Sequence, residues 1–190
     1  GIELAQNFYK RIRPNITPAK INIFKRFGTA MIKFNNYNIE FVGARKESYS
    51  NDSRKPSIEE GTFLDDMLRR DFTINTLAIR LNKNYFGELI DTFGGIDDIE
   101  KGIIKTPTDP DKTFSDDPLR MLRAIRFSCE LNFDIDINTQ NSIKKNSNRL
   151  EILSSERISD EINKILMSET PSNGFKNLEK LNLLNHVLPE

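Results

Sequence analysis

The hydrophobic pattern of this 190-residue chain changes type part-way along its length. In the first part, short runs alternate apolar with polar residues, which is typical of strands that have one buried face. From Ser115 onward, Leu and Ile recur three and four residues apart, which is typical of amphipathic helices. The change predicts an α+β protein with a sheet-containing domain over residues 1–107 and an all-helical domain over residues 108–190.

The first domain is predicted to open with a helix over residues 2–12. Strands are predicted over residues 20–24, 28–34, 37–42, 77–81 and 85–90, and no strand is predicted after Gly102. On the third strand, Glu40 lies on the face opposite the apolar one. It is therefore either a solvated side chain or a candidate ligand of a divalent cation.

Residues 45–61 separate the two groups of strands and have no apolar period. This composition predicts a long mobile loop, and loops of such length inside a compact domain are usually functional. Thr62 is predicted to cap the short helix that follows, through Asp65 and Asp66.

Four helices are predicted in the second domain, over residues 116–131, 137–146, 156–167 and 172–184. Ser115 or Asp116 is predicted to cap the first of them, with Pro118 in its first turn. The buried side of that helix is predicted to carry Leu122, Ile125 and Cys129.

The amino-acid composition excludes several kinds of site. One cysteine and one histidine cannot form an internal disulfide or a structural zinc site, and they make a Cys–His nucleophilic centre implausible. Any catalysis must then depend on carboxylates and arginines. The 28 basic and 28 acidic side chains balance, which neither favours nor excludes nucleic acid as a partner. No apolar run is long enough to span a membrane and no signal peptide is recognisable, so we expect a cytoplasmic protein.

The helix predicted from residue 116 has charged residues at regular spacing. Asp117 and Arg120 lie three residues apart on one predicted face, and Arg123 and Arg126 follow at the same step. One interpretation is a solvated charged face with an ordinary ion pair, worth about 0.3 kcal/mol.

The alternative interpretation is recognition of a nucleotide base. Cytosine and adenine present an amino donor beside a ring-nitrogen acceptor, whereas uracil and guanine present the reverse order. A carboxylate beside a guanidinium matches the first two bases, and a wrong base would leave buried charges unpaired. Asp117 with Arg120 would then accept CTP and ATP, while Arg123 and Arg126 would reach the phosphates.

A second charged group lies at residues 69–71. Adjacent arginines beside an aspartate are either a structural ion pair at a helix start or a binding group. In the second case Arg70 and Asp71 would hydrogen-bond a ribose 2′-hydroxyl, which both donates and accepts, and Arg69 would be structural.

Six segments, in this order along the chain, resemble the class II tRNA nucleotidyltransferases and bacterial poly(A) polymerases, which belong to the polymerase-β-type nucleotidyltransferase superfamily. They are FGTA at 27–30, IEFVGAR at 39–45, RRDFTIN at 69–75, DTFGG at 91–95, DDPLRMLRAIRF at 116–127, and ERI at 156–158 with Glu161. The resemblance covers almost the whole chain. It implies a nucleotidyltransferase head with a mixed sheet and helices, followed by a helical neck and the start of a body.

The resemblance also implies roles for individual residues. Arg70 and Asp71 match residues that contact the ribose, and Asp117 and Arg120 match the pair that reads the base. The arginines at 123 and 126 match residues that bind nucleotide.

Two further segments have family roles. The loop over residues 45–61 matches the flexible segment implicated in switching from C to A addition. The residues Glu156, Arg157 and Glu161 match a motif that stabilises the neck and so supports the base-reading helix.

One family motif has no counterpart in the chain. The strand bearing Asp-x-Asp, whose aspartates bind the catalytic Mg²⁺ ions, is expected immediately before the helix that starts at Ile2. We therefore expect an internal fragment of the enzyme, with the first strands of the head missing, most Mg²⁺ ligands outside the chain and no nucleotide incorporation by the chain alone. The catalytic and metal-binding residues stay unassigned.

The predicted function is template-independent addition of C and A to tRNA 3′ ends from CTP and ATP, with tRNA as the partner. The FGTA segment resembles CCA-adding enzymes more than poly(A) polymerases. The alternatives are a poly(A) polymerase and a non-catalytic module that binds nucleotide or RNA.

Overall fold

The computed structural model describes residues 1–50 and 53–188. The chain divides into two compact units. The first comprises Gly1–Glu47 with Ile58–Asp66, and the second comprises Ser48–Ser57 with Met67–Glu190.

The first unit consists mainly of a helix packed on a three-stranded antiparallel sheet. These elements are α1 (Ile2–Ile12), β1 (Ala19–Phe24), β2 (Thr29–Phe34) and β3 (Tyr37–Phe41), with the strands in the order β1-β2-β3. Their predicted bounds are confirmed to within one residue at each end. The small core is centred on Ala5, Ala30 and Ile32, which are at most 1% exposed. The alternation of apolar and polar residues and the helical spacing of apolar residues were enough to predict these elements, because each has one face toward the core.

The predicted loop over residues 45–61 is wrong for the backbone that the structure describes. Strands β4 (Arg45–Ser50) and β5 (Ser53–Glu60) pair as a two-stranded sheet, and residues 51–52 lie outside the described part of the chain. A strand ladder is made of backbone hydrogen bonds, which polar sequences also form, so the lack of an apolar period did not reveal it.

Helix α2 (Phe63–Leu68) begins with the predicted Thr62 cap. Asp65 donates its backbone N–H to the Thr62 hydroxyl at 3.2 Å, and the Thr62 N–H donates to the Asp65 carboxylate at 2.8 Å. These reciprocal bonds form a capping box. They also lower the pKa of the Asp65 carboxyl, because hydrogen bonds from the Thr62 hydroxyl and N–H favour its charged form.

The second unit is mostly helical, with short strand pairs. Its elements are β6 (Ala78–Ile79), β7 (Leu89–Ile90), α3 (Gly95–Glu100), β8 (Ile103–Ile104), α4 (Pro110–Asp116), α5 (Leu119–Leu131), β9 (Asp134–Ile135), α6 (Ile137–Asn146), α7 (Ser155–Leu166), α8 (Pro171–Lys180) and α9 (Leu184–Val187). Helix α5 lies at its centre, in contact with α4, α7, α8 and the β8–β9 pair. As predicted, Leu122, Ile125 and Cys129 are buried there, at most 2% exposed.

The helix predicted from residue 116 is interrupted at its start. Helix α4 ends at Asp116, Asp117 is extended, and α5 begins only at Leu119. A residue before proline is pushed away from the helical conformation, and Pro118 has this effect on Asp117. The prediction that Ser115 or Asp116 caps the helix is therefore wrong, and so is the placement of Asp117 on the helix face.

The prediction of no strand after Gly102 is also wrong. Strand β8 pairs in parallel with β9, with Ile104 opposite Ile135. Two-residue strands have no measurable period, so only the tertiary fold reveals them. The division at residue 107 stays a prediction. None of the helices in the described ranges is long and apolar enough to cross a membrane.

Substitution of Gly95 tests the close packing of α3. A Cβ at this position would lie 2.5 Å from the carbonyl oxygen of Thr73. We expect Gly95→Ala to lower the free energy of unfolding by about 1–3 kcal/mol, because over-packing of a tight contact typically costs that much. The control is Gly43→Ala, where nothing lies within 4 Å of the added Cβ. Urea denaturation measures both, and equal effects would contradict the close contact.

Candidate functional site

A 3₁₀ turn over Thr73–Asn75 lies just after Arg70 and Asp71, the predicted ribose pair. The Thr73 N–H donates to the Lys105 carbonyl oxygen at 2.8 Å, and the Thr73 hydroxyl donates to the buried Asp98 carboxylate at 2.6 Å. Gly95, which has no Cβ, lies directly against the Thr73 carbonyl oxygen. The turn is therefore held against α3 and presents the preceding residues from a fixed backbone.

Asp71 joins this turn to α5. Its side chain is only 8% exposed. Oδ1 accepts hydrogen bonds from the Phe72 N–H at 3.0 Å and from Nδ2 of Asn75 at 2.9 Å. Oδ2 accepts from Nε and Nη2 of Arg123, at 2.7 and 2.6 Å. Four donors thus fix the carboxylate, two of them from one guanidinium.

Arg120 reaches the same region from the first turn of α5. Its Nη2 donates to the Arg69 carbonyl oxygen at 2.6 Å, and its Nη1 is 3.4 Å from the Thr113 carbonyl oxygen. Arg70 also bonds to the backbone of the turn, because its Nη1 donates to the Asn75 carbonyl oxygen at 3.1 Å. The contacts of Arg120 with the Arg69 and Thr113 carbonyl oxygens use two of its five N–H groups.

Asp117 is paired with Arg157 on α7, not with its neighbour Arg120. Its Oδ2 accepts from Nη2 of Arg157 at 3.3 Å, and its Oδ1 accepts from the Leu119 N–H at 3.2 Å. The Asp117 side chain is 22% exposed, so the carboxylate keeps contact with solvent. The alternative of an ordinary ion pair between Asp117 and Arg120 along one helix is therefore wrong, because Asp117 lies outside α5 and its observed partner is on α7.

Arg126 lies further along α5 and is directed toward α7. Its Nε donates to Oε2 of Glu161 at 2.7 Å, and its Nη1 donates to Oε2 of Glu130 at 2.9 Å. The guanidinium carbon is 4.1 Å from the ring centroid of Phe127. The Arg126 side chain is 12% exposed, so it is held in a cage of two carboxylates and a ring.

The supporting role that the resemblance implies for α7 matches these contacts. Arg157 contacts Asp117, and Glu161 contacts Arg126, so two of the three motif residues hold the start and middle of α5. Glu156 is exposed.

Three of the six predicted nucleotide-binding residues are linked at the turn, namely Arg70, Asp71 and Arg123. Arg120 bonds to the Arg69 carbonyl oxygen just before the turn, and Asp117 is linked to Arg120 only through a local backbone hydrogen bond. Arg126 is turned to α7 instead. The expectation that Arg123 and Arg126 reach the phosphates stays a prediction, and it requires guanidinium groups that are already paired with carboxylates. Glu40 is exposed and belongs to the other compact unit.

Asn75 is a site residue that the sequence did not single out. Its carboxamide donates to Asp71 and its backbone carbonyl accepts from Arg70, so this one residue contacts both members of the predicted ribose pair. The available signal was its position four residues after Asp71 in the same motif. That spacing has no fixed geometry in a turn, so it predicted no contact.

The described residues do not fit a metal centre. Within residues 1–50 and 53–188, no group of three or more His, Cys, Asp or Glu side chains is placed to hold a metal ion. The two site carboxylates, Asp71 and Asp117, are each paired with an arginine. An arginine beside a carboxylate oxygen competes with a cation for the same lone pairs.

Two family models match the chain. The poly A polymerase head domain matches residues 2–105, which is more than half of the chain. The model described as "Probable RNA and SrmB-binding site of polymerase A" matches residues 132–190.

Individual proteins match as well. An A-adding tRNA nucleotidyltransferase of Aquifex aeolicus is 38% identical over 147 residues, covering 76% of this chain and 17% of that protein. A CCA-adding enzyme of Limosilactobacillus reuteri is 41% identical over 153 residues, covering 78% and 36%. A solved tRNA nucleotidyltransferase, complexed with a primer tRNA and an incoming ATP analog, superposes with a TM-score of 0.83 and 30% identity, covering 99% of this chain and 51% of that chain.

The matches thus span 17% to 51% of these three proteins and most of the present chain. The predicted α+β fold, a nucleotidyltransferase head followed by a helical region, is confirmed by the head-domain model and by the solved structure. The chain belongs to the family of class II tRNA nucleotidyltransferases and bacterial poly(A) polymerases.

Proposed function

We propose that this protein is a template-independent tRNA nucleotidyltransferase that adds C and A to tRNA 3′ ends from CTP and ATP. In this reaction the tRNA 3′-hydroxyl attacks the α-phosphate of the nucleotide and pyrophosphate leaves. The observation that carries the proposal is the placement of Asp117 and Arg120 at the start of α5, each anchored by other residues.

This placement suits recognition of a base edge. Arg157 orients the Asp117 carboxylate, and the Arg69 carbonyl oxygen orients the Arg120 guanidinium, so neither side chain needs the other as its partner. Both therefore keep hydrogen-bonding capacity for a base that offers an amino donor beside a ring-nitrogen acceptor. Holding them in place beforehand reduces the ordering cost of binding.

The remaining site residues have proposed roles around the sugar and phosphates. Arg70 and Asp71 are the proposed ribose contacts, and Arg123 and Arg126 are proposed to bind the nucleotide through its phosphates. The carboxylates that pair with these two arginines hold the guanidinium groups in place. A phosphate would have to share each guanidinium with its carboxylate.

The proposed partner is tRNA, supported by the RNA-binding family model over residues 132–190 and by the solved relative that carries a primer tRNA. Mg²⁺ is the metal ion we propose for the whole enzyme, and none of the six site side chains is proposed as its ligand. The division into a head over residues 1–107 and a neck over residues 108–190, and the cytoplasmic location, stay predictions.

Addition of A alone is the main alternative. It is supported by the 38% identity to an A-adding relative and by the name of the head-domain model. An Asp–Arg pair of this kind accepts both cytosine and adenine, so it does not separate the two activities.

The whole enzyme tests the proposed activity directly. We expect it to extend tRNA that lacks its terminal CCA with CTP first and then with ATP, because the site residues complement both bases. Gel analysis of single-nucleotide extension, with each triphosphate alone and with both, measures this. Extension by ATP alone, or tailing of arbitrary RNA with A, would instead support the alternative, and UTP and GTP serve as negative controls.

Replacement of Arg120 tests base reading. We expect Arg120→Ala to weaken CTP and ATP binding alike, by about 10- to 100-fold, because a hydrogen bond to a charged group contributes about 1.5–3 kcal/mol. Isothermal titration measures both affinities. The matched control is Arg80→Ala, which removes a half-exposed arginine paired with Glu88 on the β6–β7 hairpin. Unchanged affinity in Arg120→Ala would sink the base-reading role.

Replacement of Asn75 tests the ribose pair. We expect Asp71→Ala to erode discrimination between CTP and dCTP and also to weaken binding of both, because it leaves Arg123 without its carboxylate partner. Asn75→Ala should erode the discrimination less, by about fivefold, because it removes one hydrogen bond of about 1 kcal/mol. The ratio of the two dissociation constants is the measurement, and exposed Asn84→Ala is the control. If Asn75→Ala weakens both nucleotides equally, the ratio stays constant and Asn75 has only a structural role.

A further inference from the structure

A concave surface lies near the C-terminal end of α5. It is an open cleft of about 210 Å³. Ser128 at its edge lies eight residues beyond Arg120, or about 12 Å along the helix axis at 1.5 Å per residue. The cleft is therefore separate from Asp117 and Arg120, the proposed base-reading pair. Arg126 is only two residues before Ser128, but at 3.6 residues per turn it lies about 200° away around the helix, and its side chain contacts α7. Its lining residues are Ser128, Asn132, Phe133, Asp134, Asn173, Lys176 and Asn177.

One wall of the cleft is the fixed turn that ends α5. Asn132 adopts the left-handed conformation that closes the helix, with φ of 53°. The Ser128 hydroxyl donates to the Phe133 carbonyl oxygen at 2.6 Å, and the Asp134 N–H donates to the Gly102 carbonyl oxygen at 2.8 Å. These bonds fix the backbone from which Asn132 and Asp134 project.

Helix α8 forms the opposite wall. Asn173, Lys176 and Asn177 stand at positions i, i+3 and i+4, so they share one helix face. On the buried side, Gly174 brings α8 close to α5, since a Cβ there would lie 2.9 Å from Sγ of Cys129. The two walls are therefore held at a short, fixed separation.

Five of the lining side chains have polar ends without a protein partner in the described part of the chain, whereas the Ser128 hydroxyl is bonded to Phe133. Among the residues that the structure describes, no hydrogen bond or ion pair engages the side chains of Asn132, Asp134, Asn173, Lys176 and Asn177. Each carboxamide offers both a donor and an acceptor, the carboxylate accepts, and the ammonium donates. The cleft thus presents a mixed hydrogen-bonding surface with a single cation.

We propose that this cleft binds one unpaired nucleotide of the RNA substrate. The carboxamides and Asp134 match the mixed donors and acceptors of a base edge, and Lys176 matches a backbone phosphate. The volume is below the roughly 300–1,000 Å³ of sites that enclose a complete small ligand, so it suits a single base whose neighbours continue into solvent. Six of the seven lining residues lie within the RNA-binding family match over 132–190.

The choice of RNA as the occupant rests on the proposed function, whereas the cleft is a feature of the structure and does not depend on that function. Single-stranded RNA is recognised through splayed bases, whereas a duplex hides its base edges. The proposal therefore requires a preference for single-stranded over blunt duplex RNA.

Binding of a short labelled single-stranded RNA to this chain tests the proposal. We expect Asn177→Ala and Lys176→Ala each to weaken binding about fivefold or more, measured by fluorescence anisotropy. Lys176→Ala should also reduce the salt dependence by about 0.7 in the slope of log K against log salt, because one phosphate contact is lost. Asn177→Ala should leave that slope unchanged.

Matched controls separate the cleft from general charge. They are Lys180→Ala, on the same helix outside the cleft, and Asn163→Ala, an exposed residue on α7. Equal losses in Lys176→Ala and Lys180→Ala would overturn the proposal, as would equal losses for blunt duplex RNA. Unchanged RNA binding in both cleft variants would also overturn it.

A second measurement does not depend on the variants folding. In NMR titration of the unaltered chain, the side-chain NH₂ signals of Asn132, Asn173 and Asn177 should shift on addition of the RNA, and that of Asn163 should not. Absence of these shifts would refute the cleft proposal. CTP affinity should be normal in the cleft variants, so loss of base reading in Arg120→Ala and loss of RNA binding at the cleft are scored independently.

Discussion

The ion pair between Asp71 and Arg123 is the interaction on which the geometry of the site depends. It joins the turn after α2 to the middle of α5, and both donors of one guanidinium face converge on a single carboxylate oxygen. The aspartate is 8% exposed, so its charge is compensated by protein donors and hardly by water. Removing a partner from such a group leaves an unsatisfied charge, which costs more than the bond contributes.

The two faces of helix α5 have different roles. Its apolar face, with Leu122 and Ile125, packs into the core of the second unit, and its polar face carries Arg120 and Arg123. Burial of the first face fixes the second, because a packed helix cannot rotate without opening cavities. Helix α7 adds further restraints through Arg157 and Glu161. A site that recognises base edges benefits from this rigidity, because displaced hydrogen-bond donors discriminate less well between bases.

Sequence patterns located the elements that bury one face. The bounds of α1, β1, β2, β3 and α6 were predictable to within one residue, because each combines a clear period with a turn or cap at its end. The strands β4, β5, β8 and β9 were not predictable. The first two have no apolar period in the sequence, and the two-residue strands β8 and β9 are too short to show one, although Ile104 and Ile135 are buried. The break at Asp117 had a local signal in Pro118, but helical spacing on both sides obscured it.

Some features of the candidate site were likewise predictable from the sequence and others were not. The sequence by itself determined which residue types were available, since one cysteine and one histidine leave carboxylates and arginines, and it grouped them at residues 69–71 and 116–126. Only the tertiary structure decided the pairing: Asp71 with Arg123, 52 residues apart, and Asp117 with Arg157, 40 residues apart. It also decided that Asn75 belongs to the site. Charge and spacing are local properties, whereas the choice of partner depends on how buried faces bring distant segments together.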